Sequence, residues 1–248
     1  MGNKKNIRLV LAYDGTDFAG WQVQPAQRTV QGVVQEGLSR MHKHPVTVTA
    51  SGRTDSGVHA VGQVINFFSD IRSIEPENFA EAVNSFLPKD VKVVRSDQVE
   101  DDFHARYAAQ ARSYRYYLLP ASVTLPWQNR YCMRLRKLPD IETLSRMASC
   151  FIGSHDFSAF SSPDEERRTT VRNINSAIFF MEREFLVFHI TGNAFLWKMV
   201  RTMVGTLLEL ESSGGEEKEV KRILNSQRRE EAGPTAPPWG LFLYRVRY

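Results

Sequence analysis

The chain has 248 residues, 42% of them hydrophobic and 24% charged, so it can bury one large core or two ordinary ones without metal or disulfides. Its two cysteines form no CxxC pair, which predicts reduced thiols in a cytoplasmic protein and argues against a disulfide scaffold or a zinc site. The net charge of +4 does not by itself indicate a partner. No apolar h-region follows the basic N-terminus and no apolar run approaches 18 residues, so we predict neither a signal peptide nor a membrane span.

The first half of the chain predicts the element order β-α-β-β-α-β. Thr29 is a plausible N-cap for a helix whose apolar residues recur from Val30 to Met41 at helical spacing. Glu75-Pro76 begins a second helix. The four predicted strands are Asn6–Asp14, Val46–Ser51, Val61–Phe68 and Val91–Asp97. This order is the split βαβ pattern of ferredoxin-like domains.

A similar order recurs in the second half. Helices are predicted after the N-cap Asp140, from Phe195 to Leu210, and in a short charged stretch after Gly215. The predicted strands are Arg112–Leu119, Arg130–Arg136, the hairpin Asn173–Met181 with Glu184–Thr191, and the closing Leu241–Arg247. We therefore predict an α+β protein of two ferredoxin-like halves with mainly antiparallel strands, residues 1–105 and 106–248. The duplication rests on element order, because no residue-level repeat relates the halves.

A basic, aromatic segment indicates a nucleic-acid partner. No Asp or Glu occurs from Phe103 to Pro139. The segment carries Arg106, Arg112, Arg115, Arg130, Arg134, Arg136 and Lys137, interleaved with Tyr107, Tyr114, Tyr116, Tyr117, Trp127 and Tyr131. Arginines contact phosphates and aromatic rings stack on bases, although ordinary solvated arginines on a sheet would give the same pattern.

The segment Ser51–Ala60, SGRTDSGVHA, holds the best candidate for catalysis. It lies between two predicted strands, with glycines on either side of Arg53 and Asp55. Aspartate can act as a nucleophile or general base, and a nearby arginine keeps it ionised. The alternative is a polar turn with a local ion pair. On the Phe195–Leu210 helix, Lys198 and Arg201 share one face. Both are solvated charges beside the core, or Arg201 pairs with a buried carboxylate or an RNA phosphate.

The motifs of several common enzyme classes do not occur in the sequence. The chain contains no GxxxxGK[ST], GxGxxG, HExxH or GxSxG, and its histidines and cysteines lack the spacing of a zinc deaminase. We therefore predict neither a metal nor a nucleotide cofactor.

The segment Ser51–Ala60 closely resembles the catalytic loop of the tRNA pseudouridine synthase A family. Further blocks similar to that family run in order through nearly the whole chain. They are YDGT at Tyr13–Thr16 with Phe18 and Gly20-Trp21-Gln22, TVQG at Thr29–Gly32, FHAR at Phe103–Arg106, RSYRY at Arg112–Tyr116, HDFSAF at His155–Phe160, Phe195-Leu196 with Met199-Val200-Arg201, and GPTAP at Gly233–Pro237. Ala194, Trp197 and Lys198 depart from the family pattern and leave the role of Lys198 open.

The resemblance implies two ferredoxin-like halves around a pseudo-twofold axis with a central RNA-binding cleft. It also implies a homodimer that isomerises uridine to pseudouridine in the tRNA anticodon stem-loop, at tRNA positions 38, 39 and 40, without a cofactor. Asp55 would be the catalytic aspartate, Tyr114 the tyrosine beside the target base, and Arg201 the basic partner of the aspartate. The remaining predicted substrate-binding residues are Arg53, Arg106, Arg112, Arg115 and His59.

Two rival functions fit parts of the sequence. A non-catalytic RNA-binding protein of ferredoxin-like fold would resemble an RRM, but neither half contains an RNP1-like run. A structural or small-ligand protein of the same fold would not need the acid-free basic segment. Turnover separates the enzyme from both.

Overall fold

A computed structural model describes residues 4–162 and 169–248 of the chain. It divides into two compact units, Met1–Gln110 with Leu243–Tyr248, and Ala111–Phe242. The strands are β1 (Lys5–Tyr13), β2 (Thr49–Ala50), β3 (His59–Ser69), β4 (Val91–Gln98), β5 (Ala111–Pro120), β6 (Met133–Leu135), β7 (Gly153–Asp156), β8 (Val171–Glu182), β9 (Phe185–Gly192) and β10 (Leu241–Arg247). The α-helices are α1 (Val30–His42), α2 (Phe79–Asn84), α3 (Ile141–Ser149), α4 (Met199–Ser212) and α5 (Glu217–Ser226).

The first unit is a sheet in the order β4-β1-β3-β10, with β2 paired to β3. Strand β1 runs antiparallel to both β3 and β4. Its side chains alternate, so Ile7, Leu9 and Leu11 are fully buried. Helix α1 begins as predicted, because the Thr29 hydroxyl accepts a hydrogen bond from the Gly32 N–H at 3.3 Å. The long, doubly paired β1 and β3 provide a rigid base for the loop that enters β3.

The second unit is a sheet in the order β5-β9-β8-β7, with β6 paired to β5. All these pairs are antiparallel except β5 with β6. Its core includes Tyr116 and Leu118 of β5, which are fully buried with Phe188 and Ile190 of β9. Helix α3 begins where Asp140 accepts a hydrogen bond from the Glu142 N–H at 3.1 Å, as predicted from its N-cap.

The α+β class with a mostly antiparallel arrangement of strands is confirmed, whereas the two ferredoxin-like halves remain a prediction. Four elements differ clearly from the sequence prediction. The predicted Val46–Ser51 strand shrinks to the two residues of β2. The predicted Phe195–Leu210 helix begins only at Met199, because Lys198 adopts a left-handed φ of 62°. The predicted Arg130–Arg136 strand shrinks to β6, since a 3-10 turn occupies Pro126–Arg130, and β7 was not predicted. Across both described ranges, every helix is too short or too polar to cross a bilayer.

Candidate active site

Asp55 opens a tight turn between β2 and β3. The Val58 N–H donates to the Asp55 carbonyl at 3.2 Å, closing a four-residue turn. Gly57, the third residue of that turn, has a φ of 75°, as a type II turn requires. The Asp55 side chain is half-buried, while Arg53 and Ser56 on either side are exposed. The turn therefore places Asp55 partly out of water, between two exposed residues.

The segment between β1 and α1 holds this turn in place. The Trp21 N–H donates to the Thr54 carbonyl at 3.0 Å, and the Gly57 N–H donates to the Phe18 carbonyl at 3.3 Å. The Tyr13 hydroxyl and the Thr54 hydroxyl are hydrogen-bonded at 2.8 Å. Tyr13, Phe18 and Trp21 are all buried. Tyr13 at the end of β1, together with Phe18 and Trp21, thus holds the backbone on both sides of Asp55.

Gly20 is a point of close contact between that segment and the backbone on both sides of Asp55. Its φ is 101°, a conformation that side-chain-bearing residues rarely adopt. A Cβ atom at this position would lie 2.8 Å from the Thr54 carbonyl oxygen and 3.1 Å from the Ser56 nitrogen. Only glycine lets the two backbones approach this closely.

Gln63 in β3 anchors the other end of the loop. Its amide group donates to the Gly52 carbonyl at 2.9 Å, and its amide oxygen accepts from the Ser51 hydroxyl at 2.7 Å. The same oxygen also accepts from the Val64 N–H at 3.1 Å. Gln63 is fully buried, so its bonds to Ser51 and Val64 are shielded from water, while the bond to Gly52 is partly buried. Gln63 was not predicted from the sequence, although a glutamine inside an apolar strand pattern was the available signal.

His59, predicted to bind substrate, lies inside the first unit with 1% of its surface exposed. Its Nδ1 accepts a hydrogen bond from the Gly15 N–H at 3.0 Å and lies 3.2 Å from an Asp14 carboxylate oxygen. That oxygen also accepts from the Thr16 hydroxyl at 2.6 Å. These contacts give His59 a structural part in holding the turn after β1. Its role in substrate binding stays a prediction.

Tyr114 of the second unit lies in β5, where it pairs with Ile190 of β9. Its ring packs edge-on against the Phe195 ring, with centroids 5.1 Å apart. The side chain is half-buried. The contact fixes the plane of the Tyr114 ring and leaves part of it accessible for stacking.

Arg201, in the first turn of α4, is clamped to the GPTAP segment. Its Nε donates to the Ala236 carbonyl at 2.8 Å, and its own carbonyl accepts from the Ala236 N–H at 3.1 Å. Gly205, one turn later, lets this segment lie against the helix, because a Cβ there would collide with the Pro234 carbonyl oxygen. The Thr206 hydroxyl completes the contact by accepting from the Gly233 N–H at 3.0 Å. Two sequence blocks far apart in the chain therefore set the position of one guanidinium group.

The four remaining arginines predicted to bind substrate differ in their surroundings. Arg53 and Arg106 are exposed on the first unit. In the second unit, Arg112 donates to the Asn193 carbonyl at 2.7 Å. Arg115 forms a 2.7 Å ion pair with Glu182, and its side chain is 17% exposed. Burial would lower the pKa of Arg115, but hydrogen bonds and charge interactions with Tyr117 and Glu182 raise it overall. Arg115 therefore has an evident role within the sheet beside its predicted RNA contact.

Within residues 4–162 and 169–248, no three His, Cys, Asp or Glu side chains are grouped as metal ligands would be. The two cysteines are free thiols, and burial raises the pKa of both.

Comparison with known proteins gives a consistent result. The sequence model of a family described as tRNA pseudouridine synthase matches residues 9–108 and 147–248. A protein named tRNA pseudouridine synthase A from Treponema denticola is 47% identical over 99% of this chain and 94% of its own length. Proteins of that name from Halalkalibacterium halodurans and Shouchella clausii are 44% and 43% identical, each over 96% of this chain and at least 90% of their own length. A solved Cbf5-Nop10-Gar1 complex matches only weakly, with 10% identity, 81% of this chain and 53% of that chain covered, and a TM-score of 0.35.

Proposed function

Since the chain belongs to the tRNA pseudouridine synthase family, which consists of isomerases, we propose that it converts uridine to pseudouridine in tRNA. Relatives with the tRNA pseudouridine synthase A name cover nearly the whole chain, so both units share in the match. We further propose that the substrates are uridines 38, 39 and 40 of the anticodon stem-loop, because the sequence blocks resemble that family throughout. A homodimer in the cytoplasm belongs to the same proposal.

The proposed catalytic group is the carboxylate of Asp55. The observation that carries this assignment is the rigid support of its turn. The Thr54 carbonyl and hydroxyl are held by Trp21 and Tyr13, and Gly20 lies directly against the backbone. A carboxylate on such a fixed turn is oriented before substrate binds, which lowers the entropic cost of reaction.

Pseudouridine formation rearranges one nucleotide without any net exchange of groups. The bond between N1 and C1′ breaks, the uracil rotates, and a bond between C5 and C1′ forms. The C5 proton is then lost and N1 gains a proton, so the overall composition does not change. Asp55 acts either as a nucleophile, at C1′ or at C6, or as the base that removes the C2′ proton. Either step requires the nucleotide to leave the helical stack first.

We propose that Tyr114 and Arg201 also take part in turnover. The half-buried Tyr114 ring offers a face for the detached uracil, and its phenol is a candidate base for the C5 proton. Arg201 carries the positive charge that we expect to keep the catalytic aspartate ionised. Its clamp to Ala236 supports this role, because a held guanidinium loses less entropy on pairing than a mobile one.

The experiment that tests the proposed substrate is a map of pseudouridine in unmodified tRNA transcripts after incubation with the protein. Carbodiimide labelling followed by primer extension marks each pseudouridine as a stop. We expect stops at positions 38, 39 and 40 alone, without added metal or nucleotide. Stops elsewhere would contradict the positional assignment. Binding without any stop would favour the non-catalytic RNA-binding alternative.

A further inference from the structure

The ring of Tyr107, in the first unit, is unusually exposed. Tyr107 is 77% exposed, more than any other large hydrophobic residue in the part of the chain that the structure describes. A single exposed aromatic residue is common on protein surfaces and does not define a site by itself. The surroundings of this ring distinguish it from an ordinary exposed tyrosine.

The orientation of the Tyr107 ring is fixed by its neighbour His104. The two rings are stacked, with centroids 4.3 Å apart and planes inclined by 28°. The His104 ring is itself held, because its Nδ1 accepts hydrogen bonds from the N–H groups of Arg106 at 3.2 Å and Tyr107 at 3.4 Å. The guanidinium carbon of Arg106 lies 5.7 Å from the centre of the Tyr107 ring. Three side chains of one turn therefore form an ordered aromatic and cationic surface.

Ala105 ties this turn to the body of the first unit. It is fully buried, its N–H donates to the Asn66 amide oxygen at 2.9 Å, and its carbonyl accepts from the Tyr248 hydroxyl at 2.8 Å. A further backbone bond joins the Ala108 N–H to the His104 carbonyl at 3.0 Å. The exposed ring thus stands on a rigid turn, and little conformational entropy is lost when a ligand covers it.

The chemistry of this surface fits a nucleobase. Every base has a flat π-face, and stacking on an aromatic side chain is tolerant of sequence. Asp101 and Asp102 are exposed just before the turn, and their charge disfavours a phosphate backbone passing over them. We infer that residues 104–107 form a platform, and that a base of the tRNA other than the target uracil stacks there against Tyr107. This inference rests on the proposed function, in which RNA is the substrate.

Three variants test this inference in the full-length protein. Tyr107→Leu keeps an apolar side chain but removes the π-face, and Tyr107→Phe keeps the ring but removes the hydroxyl. Phe68→Leu makes a similar change at another exposed ring of the same unit, 46% exposed. The Kd for unmodified tRNA is measured at several salt concentrations, with kcat at saturating tRNA. Thermal unfolding and light scattering check the fold and the oligomeric state.

We expect Tyr107→Leu to raise the Kd at least about fivefold, and Tyr107→Phe and Phe68→Leu to stay within about twofold of the wild type. The salt dependence of Kd should not change, because stacking neutralises no phosphate, and kcat should stay the same. An unchanged Kd for Tyr107→Leu would overturn the inference, as would an equal loss in Tyr107→Phe or a changed oligomeric state. If the wild type forms pseudouridine while Tyr107→Leu binds normally, only this inference fails. If the wild type forms none, the proposed function fails.

Discussion

Replacing Gly20 by alanine tests whether the backbone around Asp55 must be held as the structure shows. The new Cβ would lie 2.8 Å from the Thr54 carbonyl oxygen, whereas ordinary contacts begin at 3.4 Å. Relief of that overlap requires a relative shift of about 0.6 Å between Gly20 and the Asp55 turn. Misplacement of a reacting group by 1 Å can cost about a hundredfold in rate, so we expect kcat to fall about tenfold or more.

The same substitution also strains the backbone. A φ of 101° is outside the region where alanine is stable, and such a conformation costs about 1 to 3 kcal/mol. In a chain of 248 residues each kcal/mol lowers the melting temperature by about 2 to 4 °C. We therefore expect a measurable decrease in melting temperature together with the decrease in kcat.

Gly52→Ala is the matched control, because it adds the same methyl group to the loop that carries Asp55, at a position with open space. A Cβ atom at Gly52 would have no atom within 4 Å apart from those of the adjacent residues, and the φ of Gly52 is not positive. The assay is pseudouridine formation under saturating tRNA, well below the melting temperature of each variant. The reasoning is refuted if Gly20→Ala keeps wild-type kcat, or if Gly52→Ala loses as much activity as Gly20→Ala.

Four further changes have defined outcomes. Asp55→Asn should abolish turnover and leave the Kd for tRNA within a few fold; residual near-normal turnover would exclude the carboxylate. Gly205→Ala should lower the free energy of unfolding in urea by about 1 to 3 kcal/mol, because its Cβ overlaps the Pro234 carbonyl; unchanged stability would contradict that close packing. Arg115→Ala should lower the melting temperature, because Glu182 loses its partner. A flatter salt dependence of tRNA binding would show that this arginine also contacts phosphate, and an unchanged one would make it purely structural.

The fourth change concerns pH. Burial and the charge of Arg115 lower the pKa of His189, so the folded protein disfavours the protonated ring. The unfolded chain then binds the proton more readily, and stability declines as pH falls below about 6.5. His189→Gln should reduce the change in urea midpoint between about pH 7 and pH 5. An equally steep change in the variant would assign the pH dependence to other groups.

Local signals were enough to predict most regular elements. Thr29 and Asp140 cap helices where the sequence indicated, because the N-cap interaction depends on residues a few positions apart. The start of α4 was misplaced because Leu196 is buried like a helical residue, while Lys198 turns the chain in the left-handed conformation. Apolar periodicity cannot distinguish a buried turn from a helix, so the first four residues of the predicted helix were wrong.

Long-range contacts explain the features of the candidate site that the sequence does not predict. Arg115 and Glu182 are 67 residues apart, and they meet at 2.7 Å only because β5, β9 and β8 are neighbours in one sheet. In the sequence the GPTAP segment is only part of a family resemblance, whereas in the structure its contact with Arg201 gives it a physical role. Local patterns identify the reactive residue types, but strand register and close backbone packing decide which of them are held in place.

The most direct test of the central claim is release of tritium from tRNA labelled at C5 of uridine, because only bond formation at C5 requires that proton to leave. The assay compares the wild type with Asp55→Asn and Gly52→Ala. Each protein is assayed at the same fraction of bound tRNA, with no metal or nucleotide added. We predict release by the wild type and by Gly52→Ala, and none above background by Asp55→Asn. Release by Asp55→Asn at the wild-type rate, or no release by a wild type that binds the tRNA, would contradict the account.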